Sequence, residues 1–143
     1  MKLLTVTLAL AIAAGAGALP AGAAQGDIAH VSGGIGIAEQ QALKAREKEF
    51  NLKLVFTLVE GNYVSDVRVT IKDAKGKTLI ESAAGGPFFM ARLAPGGYTV
   101  NATFRNKTVT RGVKLGESLR TEYLRWPSDP KVDFPLPPEH RAN

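Results

Sequence analysis

The stretch ARLAPGGYTV, residues 91–100, places a Pro-Gly-Gly turn between two runs of alternating side chains. Pro95 holds φ near the value needed at the second position of a turn, and Gly96 can take the positive φ that a type II turn requires next. Beyond the turn, Tyr98 and Val100 alternate with polar residues, as in a strand with one buried face. The stretch therefore predicts a corner between core strands, and its glycines need no bound phosphate to explain them.

The same two-residue period recurs through most of residues 51–126. The inward positions are predicted to be Leu52, Leu54, Phe56 and Leu58, then Val67, Val69 and Ile71, then Tyr98, Val100, Ala102 and Phe104. Turn signals at residues 73–77 (DAKGK) and 105–107 (RNK) separate these runs. About seven short strands at this spacing predict an all-β fold, a seven-stranded β-sandwich over residues 51–126.

The first 24 residues have the pattern of a secretory signal peptide. Lys2 provides the positive start, an apolar run follows, and small residues crowd positions 21–24. A membrane anchor is the alternative, but Thr5, Thr7, two glycines and Pro20 interrupt the apolar run, and spanning requires about 20 firmly apolar residues. We therefore expect cleavage near Ala24, no transmembrane segment in the mature chain, and a periplasmic or secreted location in a bacterium.

The regions that flank the predicted sandwich have different compositions. Residues 25–36 are glycine-rich and predict a flexible lead-in, and residues 37–50 contain good helix formers and predict one short helix. Residues 127–143 carry five prolines and show no period, which predicts an extended or disordered tail. Such a tail can be a recognition segment, but more often it is only a tail.

Charge and cysteine content exclude several classes of protein. The formal net charge is +5, and it falls to +4 if Lys2 is removed with the signal peptide. The basic residues are spread along the chain and mixed with acids, unlike the clustered charge of a nucleic-acid binder. There are no cysteines, so the chain has neither disulfides nor thiol chemistry, and its stability must come from packing.

Candidates for catalytic or metal-binding residues are few. The two histidines, His30 and His140, fall in the lead-in and the tail, away from other ligands at metal spacing. No core histidine is available as a base for a nucleophilic Ser or Thr. Asp129 and Asp133 could take part in a calcium site, but SDPKVD lacks the ligand density of a calcium loop. We expect no enzymatic activity and no cofactor.

Two groups of apolar residues are candidates for an interaction site. Phe88, Phe89 and Met90 are consecutive, so an alternating strand must turn them to opposite sides. They form either a second buried face, which the pattern favours, or a patch for a protein or ligand. Tyr123 and Trp126, near the end of the last predicted strand, could stack on a sugar, although a terminal Trp more often packs over the edge of a sandwich.

Two quoted stretches resemble one protein family. VRVTIKDAKGKTLIES (residues 67–82) followed by GGPFFMARLAPGGYTV (residues 85–100) resembles the bacterial carboxypeptidase-regulatory-like domain. The matching positions are Asp73 and Gly76 in the first stretch and Gly86, Phe88, Leu93, Pro95, Gly96, Tyr98 and Val100 in the second. The resemblance covers residues 52–115 and implies a transthyretin-like (prealbumin-like) Greek-key β-sandwich and a non-catalytic module.

The resemblance does not supply a specific activity. Transthyretin-like hydroxyisourate hydrolases need interface histidines and a Tyr-Arg-Gly-Ser-type C-terminus, whereas this chain ends in PPEHRAN. The family module accompanies a zinc carboxypeptidase domain, and no such domain is present in this sequence. We therefore expect an accessory module that binds an envelope protein through its loops or an edge strand. The alternative is a module that binds a glycan or another small ligand.

Overall fold

The structure is a computed structural model that describes residues 28–134. The strands are β1 His30–Gly33, β2 Leu52–Leu58, β3 Val67–Asp73, β4 Thr78–Ala84, β5 Phe88–Ala91, β6 Gly96–Phe104, β7 Lys107–Leu115 and β8 Arg120–Trp126. The helices are α1 Ile37–Ala45 and the four-residue α2 Pro130–Asp133, with a 3₁₀ turn at Glu47–Glu49. The predicted signal peptide and residues 135–143 of the predicted tail lie outside this range. Neither described helix has the length and apolar character needed to cross a bilayer.

The eight strands form two four-stranded sheets. The first sheet has the order β1-β5-β2-β8 and the second has the order β4-β3-β6-β7. All neighbouring strands are antiparallel except β2 and β8, which are parallel. Buried side chains from both sheets meet in one hydrophobic core, so the arrangement is sandwich-like.

The predicted alternation places the core residues correctly. Leu52, Leu54 and Phe56 are buried on β2, as are Val67, Val69 and Ile71 on β3, and Val100 and Ala102 on β6. Polar partners such as Arg68 face away from the core. A smaller apolar cluster lies on the outer face of the first sheet, where Leu43 of α1 covers Met90 and Phe50. The predicted short helix over residues 37–50 is therefore confirmed as α1 with the 3₁₀ turn.

The corner at residues 92–95 joins two different sheets. β5 belongs to the first sheet and β6 to the second, so the chain crosses the core at this point. Gly96 begins β6 with φ of +154°, which is not the φ near +80° that a type II turn requires. The corner was predicted, but its turn type was wrong, because the chain must span two layers here and does not form a hairpin.

The predicted flexible lead-in at residues 25–36 is wrong over residues 30–33. These residues form β1, which pairs with β5 from His30↔Ala91 to Gly33↔Phe88. The short β5 would otherwise be an edge strand with unpaired backbone groups, and β1 satisfies those groups. The described residues consequently contain eight strands, seven of which lie within residues 51–126.

The predicted disordered tail also begins with ordered structure. Asp129 caps α2 by accepting the Lys131 backbone N–H at 3.0 Å, and Pro130 occupies the first helical position, where its missing N–H has no cost. The Ser128 hydroxyl donates to Glu60 at 2.6 Å, and Arg105 pairs with Asp133 at 2.8 Å. These contacts hold residues 127–134 against one end of the sandwich.

Candidate functional site

Two of the three consecutive apolar residues on β5 are buried. Phe89 lies in the main core, and Met90 lies on the opposite side beneath α1. Phe88 is half-buried on the same outer face as Met90. The favoured interpretation of a second buried face is therefore confirmed, and of the three candidate interaction residues only Phe88 keeps an accessible surface.

The predicted pair of Tyr123 and Trp126 does not form a common site. The Trp126 side chain is only 1% exposed, and its ring packs against Phe104 at a centroid distance of 5.7 Å. Its Nε1–H donates to the Lys107 carbonyl at 2.9 Å. Tyr123 is 52% exposed on the outer face, with the Arg125 guanidinium 5.8 Å from its ring centre. Because Trp126 faces the core, it cannot stack on a sugar.

Most exposed large apolar side chains gather at one end of the sandwich. At this end β1, β2, β4, β6 and β8 finish, and β3, β5 and β7 begin. Of the seven such side chains in residues 28–134, six lie on the segments that follow these strand ends. We call this surface the apolar end: Ile35, Ile37, Val59, Tyr63, Val132 and Phe134. The seventh is Tyr123.

Sequence patterns do not predict the apolar end, because its residues follow no period. They lie in connecting segments or in the first and last turns of short helices, where the alternation rules do not apply. The available signal was local: GIGIAE (residues 34–39) and LVEGNY (residues 58–63) put large apolar residues beside glycines where a polar loop is usual.

Tyr63 is held in place by the strand beneath it. The loop at residues 59–66 folds back along β2, so that the Leu58 N–H donates to the Asn62 carbonyl at 2.8 Å and the Val64 N–H donates to the Phe56 carbonyl at 3.1 Å. A bridge pairs Tyr63 with Thr57, and the Tyr63 ring meets Phe88 edge-on at 5.3 Å. Tyr63 is thus preorganised and still 55% exposed.

The neighbouring loop that carries Ile35 is also fixed. The Gly34 N–H donates to the Glu39 carboxylate at 2.9 Å, and the Gln40 side-chain amide donates to the Gly34 carbonyl at 3.0 Å. A shallow cleft of about 290 Å³ separates Ile35 from Tyr63. The two exposed side chains therefore flank a concave surface of mixed polarity on ordered backbone.

A second, more polar cleft of about 600 Å³ adjoins Tyr63. It is lined by Leu58, Asn62, Tyr63, Val64, Ser65, Asp66, Phe104, Arg105 and Asp133. The Arg105 guanidinium lies 4.6 Å from the centre of the Phe104 ring and pairs with Asp133. The Asp129 backbone N–H donates to Asp133 at 2.7 Å, and this bond, together with Arg105, lowers the pKa of the Asp133 carboxyl.

Backbone conformation helps to position Arg105. Phe104 pairs with Lys107, so Arg105 and Asn106 form a two-residue hairpin loop, with φ values of 48° and 63°. These values fit a type I′ turn, where Asn and Gly are the usual residues. An arginine in the left-handed region costs about 1 kcal/mol. Its contacts with Phe104 and Asp133 offset that cost and fix the guanidinium at the rim of the polar cleft.

Within residues 28–134, no group of three His, Asp or Glu side chains is placed to hold a metal ion. Asp129 and Asp133, the predicted calcium alternative, are occupied in capping α2 and pairing with Arg105. His30 lies in β1, where its Nδ1 is 2.9 Å from the Ile28 carbonyl and its ring stacks on Phe89; His140 lies outside the described residues.

Comparisons with models of protein families and with curated proteins find no match. The assignment of a function to this surface accordingly depends on its own geometry. That geometry consists of six exposed apolar side chains at one end of a two-sheet β structure, two of them, Ile35 and Tyr63, on ordered loops, with a polar cleft beside Tyr63.

Proposed function

We propose that this chain is an exported, non-catalytic β-sandwich module that binds a protein of the bacterial envelope through the apolar end. The observation that carries the proposal is the concentration on that end of six of the seven large apolar side chains that are exposed within residues 28–134. Contiguous exposed apolar surface rimmed by polar residues is typical of protein-interaction sites. Tyrosine is enriched at interaction hot spots, and Tyr63 lines both clefts of this end.

The proposal includes the fold relationship predicted from sequence. We assign the sandwich to a Greek-key, transthyretin-like topology similar to the carboxypeptidase-regulatory-like domain. Support comes from the motif residues of β3 to β6 and from the two four-stranded sheets. Export is supported by the N-terminal pattern of a positive start, an apolar run and small residues.

Strand addition at an edge is a weaker route to the same partner. Among the described strands, β4 is an edge of the second sheet, and its outer edge offers backbone groups to another strand. However, its pairing with β3 shifts register between Ile71 and Lys72, and Glu81 places a charge in its middle. Bulges and charges are the usual protections of an edge against pairing, so the loops are favoured.

Matched tyrosine variants test the proposal. Tyr63→Ala and Tyr123→Ala remove rings of nearly equal exposure, 55% and 52%, but only Tyr63 lies in the apolar end. The protein is crosslinked in envelope extract, and its partner is identified by mass spectrometry. We expect Tyr63→Ala to lose the crosslinked partner and Tyr123→Ala to retain it, with both variants folded by circular dichroism. Retention by both, or loss only when proline is placed in β4, would contradict a loop interface.

Small-ligand binding is the second candidate function, and the polar cleft favours it. Asn62, Ser65 and Asp66 present hydrogen-bonding groups around a space large enough for a small polar molecule. A glycan array and NMR shift mapping with hits from the array test this role. Shifts centred on Asn62 and Ser65, abolished by Asn62→Ala, would support it. The buried Trp126 is not expected to respond.

A further inference from the structure

The end of the sandwich opposite the apolar end is strongly basic. It comprises residues 44–50, 72–77, 92–95 and 114–120, the segments that meet where β2 begins and β3 ends. These segments contain nine basic and four acidic side chains, a net charge of +5. The apolar end contains four basic and five acidic side chains, a net charge of −1. Its segments are residues 33–39, 59–66, 85–87, 104–107 and 125–134. The sequence mixes these charges, but the fold separates them.

The acidic side chains of the basic end are all engaged locally. Glu49 pairs with Arg46 at 2.9 Å, Glu117 pairs with Arg92 at 3.4 Å, and Glu47 pairs with Lys53. Asp73 accepts the backbone N–H groups of its own turn, at 2.8 and 3.0 Å. The acids therefore stabilise local structure and leave the lysines uncompensated.

The arginines and the lysines of the basic end differ in whether they form ion pairs. The basic end has three arginines, and each is in an ion pair: Arg46 with Glu49, Arg92 with Glu117, and Arg120 with Glu122 at 2.8 Å. The six lysines have no acidic partner within 4 Å among residues 28–134: Lys44, Lys48, Lys72, Lys75, Lys77 and Lys114. All except the half-buried Lys72 are exposed.

The shape of the basic end favours a broad anionic surface over a single strand of polyanion. The lysines are distributed over α1, the 3₁₀ turn, the end of β3, the β3–β4 turn and the end of β7. None of the large exposed apolar or aromatic side chains of the described range lies here to stack on bases. Lysine is a hydrated point charge that suits diffuse attraction to headgroups, whereas arginine is favoured for paired contacts with individual phosphates.

We infer that the basic end is a docking surface for an anionic phospholipid bilayer. The attraction is electrostatic and peripheral, because several exposed lysines approach the headgroups without apolar insertion. Docking in this orientation turns the apolar end away from the bilayer, since the two lie at opposite ends of the strands. The inference does not depend on the proposed protein partner.

Charge reversal at the two ends provides a matched test. One variant carries Lys75→Glu, Lys77→Glu and Lys114→Glu, and the control carries Lys107→Glu, Arg125→Glu and Lys131→Glu. Each changes the net charge by −6, so only the location of the charge differs. Protein recovered from cells that express the full chain, with its N-terminus determined by mass spectrometry, is sedimented with vesicles of phosphatidylglycerol and phosphatidylcholine or of phosphatidylcholine alone.

Binding to the anionic vesicles is expected at about 0.05 M salt and should be lost near 0.5 M, where screening shortens the range of the attraction to a few ångströms. Each lysine near the surface contributes about a fivefold gain in affinity, so the basic-end variant should bind at least about 100-fold more weakly. The control variant should change by less than about fivefold. Thermal unfolding verifies that both variants are folded.

Four results would overturn the inference. The first is the absence of binding to anionic vesicles at low salt. The second is equal loss in both variants, which would show dependence on net charge alone. The third is salt-insensitive binding to neutral vesicles. The fourth is tighter binding of heparin or single-stranded DNA through the same lysines, which would assign the surface to a soluble polyanion.

Discussion

The side-chain amide of Asn51 bonds to both backbone polar groups of Leu93, a residue 42 positions away in the chain. The Leu93 N–H donates to Oδ1 at 2.9 Å, and Nδ2 donates to the Leu93 carbonyl at 2.7 Å and to the Gly116 carbonyl at 3.0 Å. One buried side chain thereby ties together the corner that joins the two sheets and the loop between β7 and β8.

Replacing Asn51 should be strongly destabilising. Asn51→Ala leaves the buried N–H and carbonyl groups of Leu93 without these bonds and removes a bond to the carbonyl of the exposed Gly116. We expect a loss of about 3 kcal/mol in the free energy of unfolding in urea, because each buried unsatisfied group costs about 1–3 kcal/mol. Asn101→Ala is the control, since Asn101 accepts from Thr110 on the exposed face, and it should cost less than about 1 kcal/mol. Similar losses in both variants would contradict the role assigned to Asn51.

Gly86 is required by close packing and not by its backbone angles. A Cβ at position 86 would overlap the carbonyl group of Gly33 at the end of β1. Gly86→Ala should therefore displace β1 and cost about 1–3 kcal/mol, with faster amide hydrogen exchange at Arg92, whose N–H donates to Ala29. Gly97→Ala, where a Cβ meets nothing within 4 Å, is the control. Unchanged exchange at Arg92 would show that β1 does not press on Gly86.

Trp126, the one tryptophan of the chain, reports directly on the core. We expect its fluorescence to be blue-shifted and protected from acrylamide until the protein unfolds. Trp126→Phe keeps an aromatic ring but loses the bond to the Lys107 carbonyl, and it should cost about 1–2 kcal/mol. Trp126→Ala removes the packing against Phe56 and Phe104 and should cost about 3–5 kcal/mol. Ready quenching in the folded state would contradict burial of this ring.

Attachment of residues 127–134 should depend on pH through Asp133. The Asp129 N–H and Arg105 lower the pKa of this carboxyl from its ordinary value of 3.8, so the attachment is complete above that value and is lost as the pH falls through the lowered pKa. Asp133→Asn should loosen the segment at every pH, whereas Asp66→Asn should not. NMR line widths and hydrogen exchange of the Val132 N–H, which donates to the Asp129 carbonyl, provide the measurement. A segment that stays ordered in Asp133→Asn would assign its attachment to other contacts.

Several strands and their faces could be predicted because alternation is a local property. The alternate residues point inward as the two-residue period predicts: Leu52, Leu54, Phe56 and Leu58 on β2, Val67, Val69 and Ile71 on β3, and Val100 and Ala102 on β6. The pairing of β1 was not predictable in the same way. HVSG has little alternation of its own and becomes a strand because the edge of β5 lacks a partner. Of the side chains considered as interaction candidates from strand patterns, Phe89, Met90 and Trp126 are buried, as the favoured packing interpretation predicts.

The sequence by itself determined most of the strands within residues 51–126, which side of most of them faces the core, and where the chain turns, because a strand's period and a turn's composition are encoded by adjacent residues. Only the tertiary structure decided that the corner at residues 92–95 joins opposite sheets, that Asn51 reaches Leu93, and that apolar and basic side chains collect at opposite ends. These features depend on contacts between residues far apart in the chain. Such contacts are selected by packing in three dimensions and leave no periodic trace in the sequence.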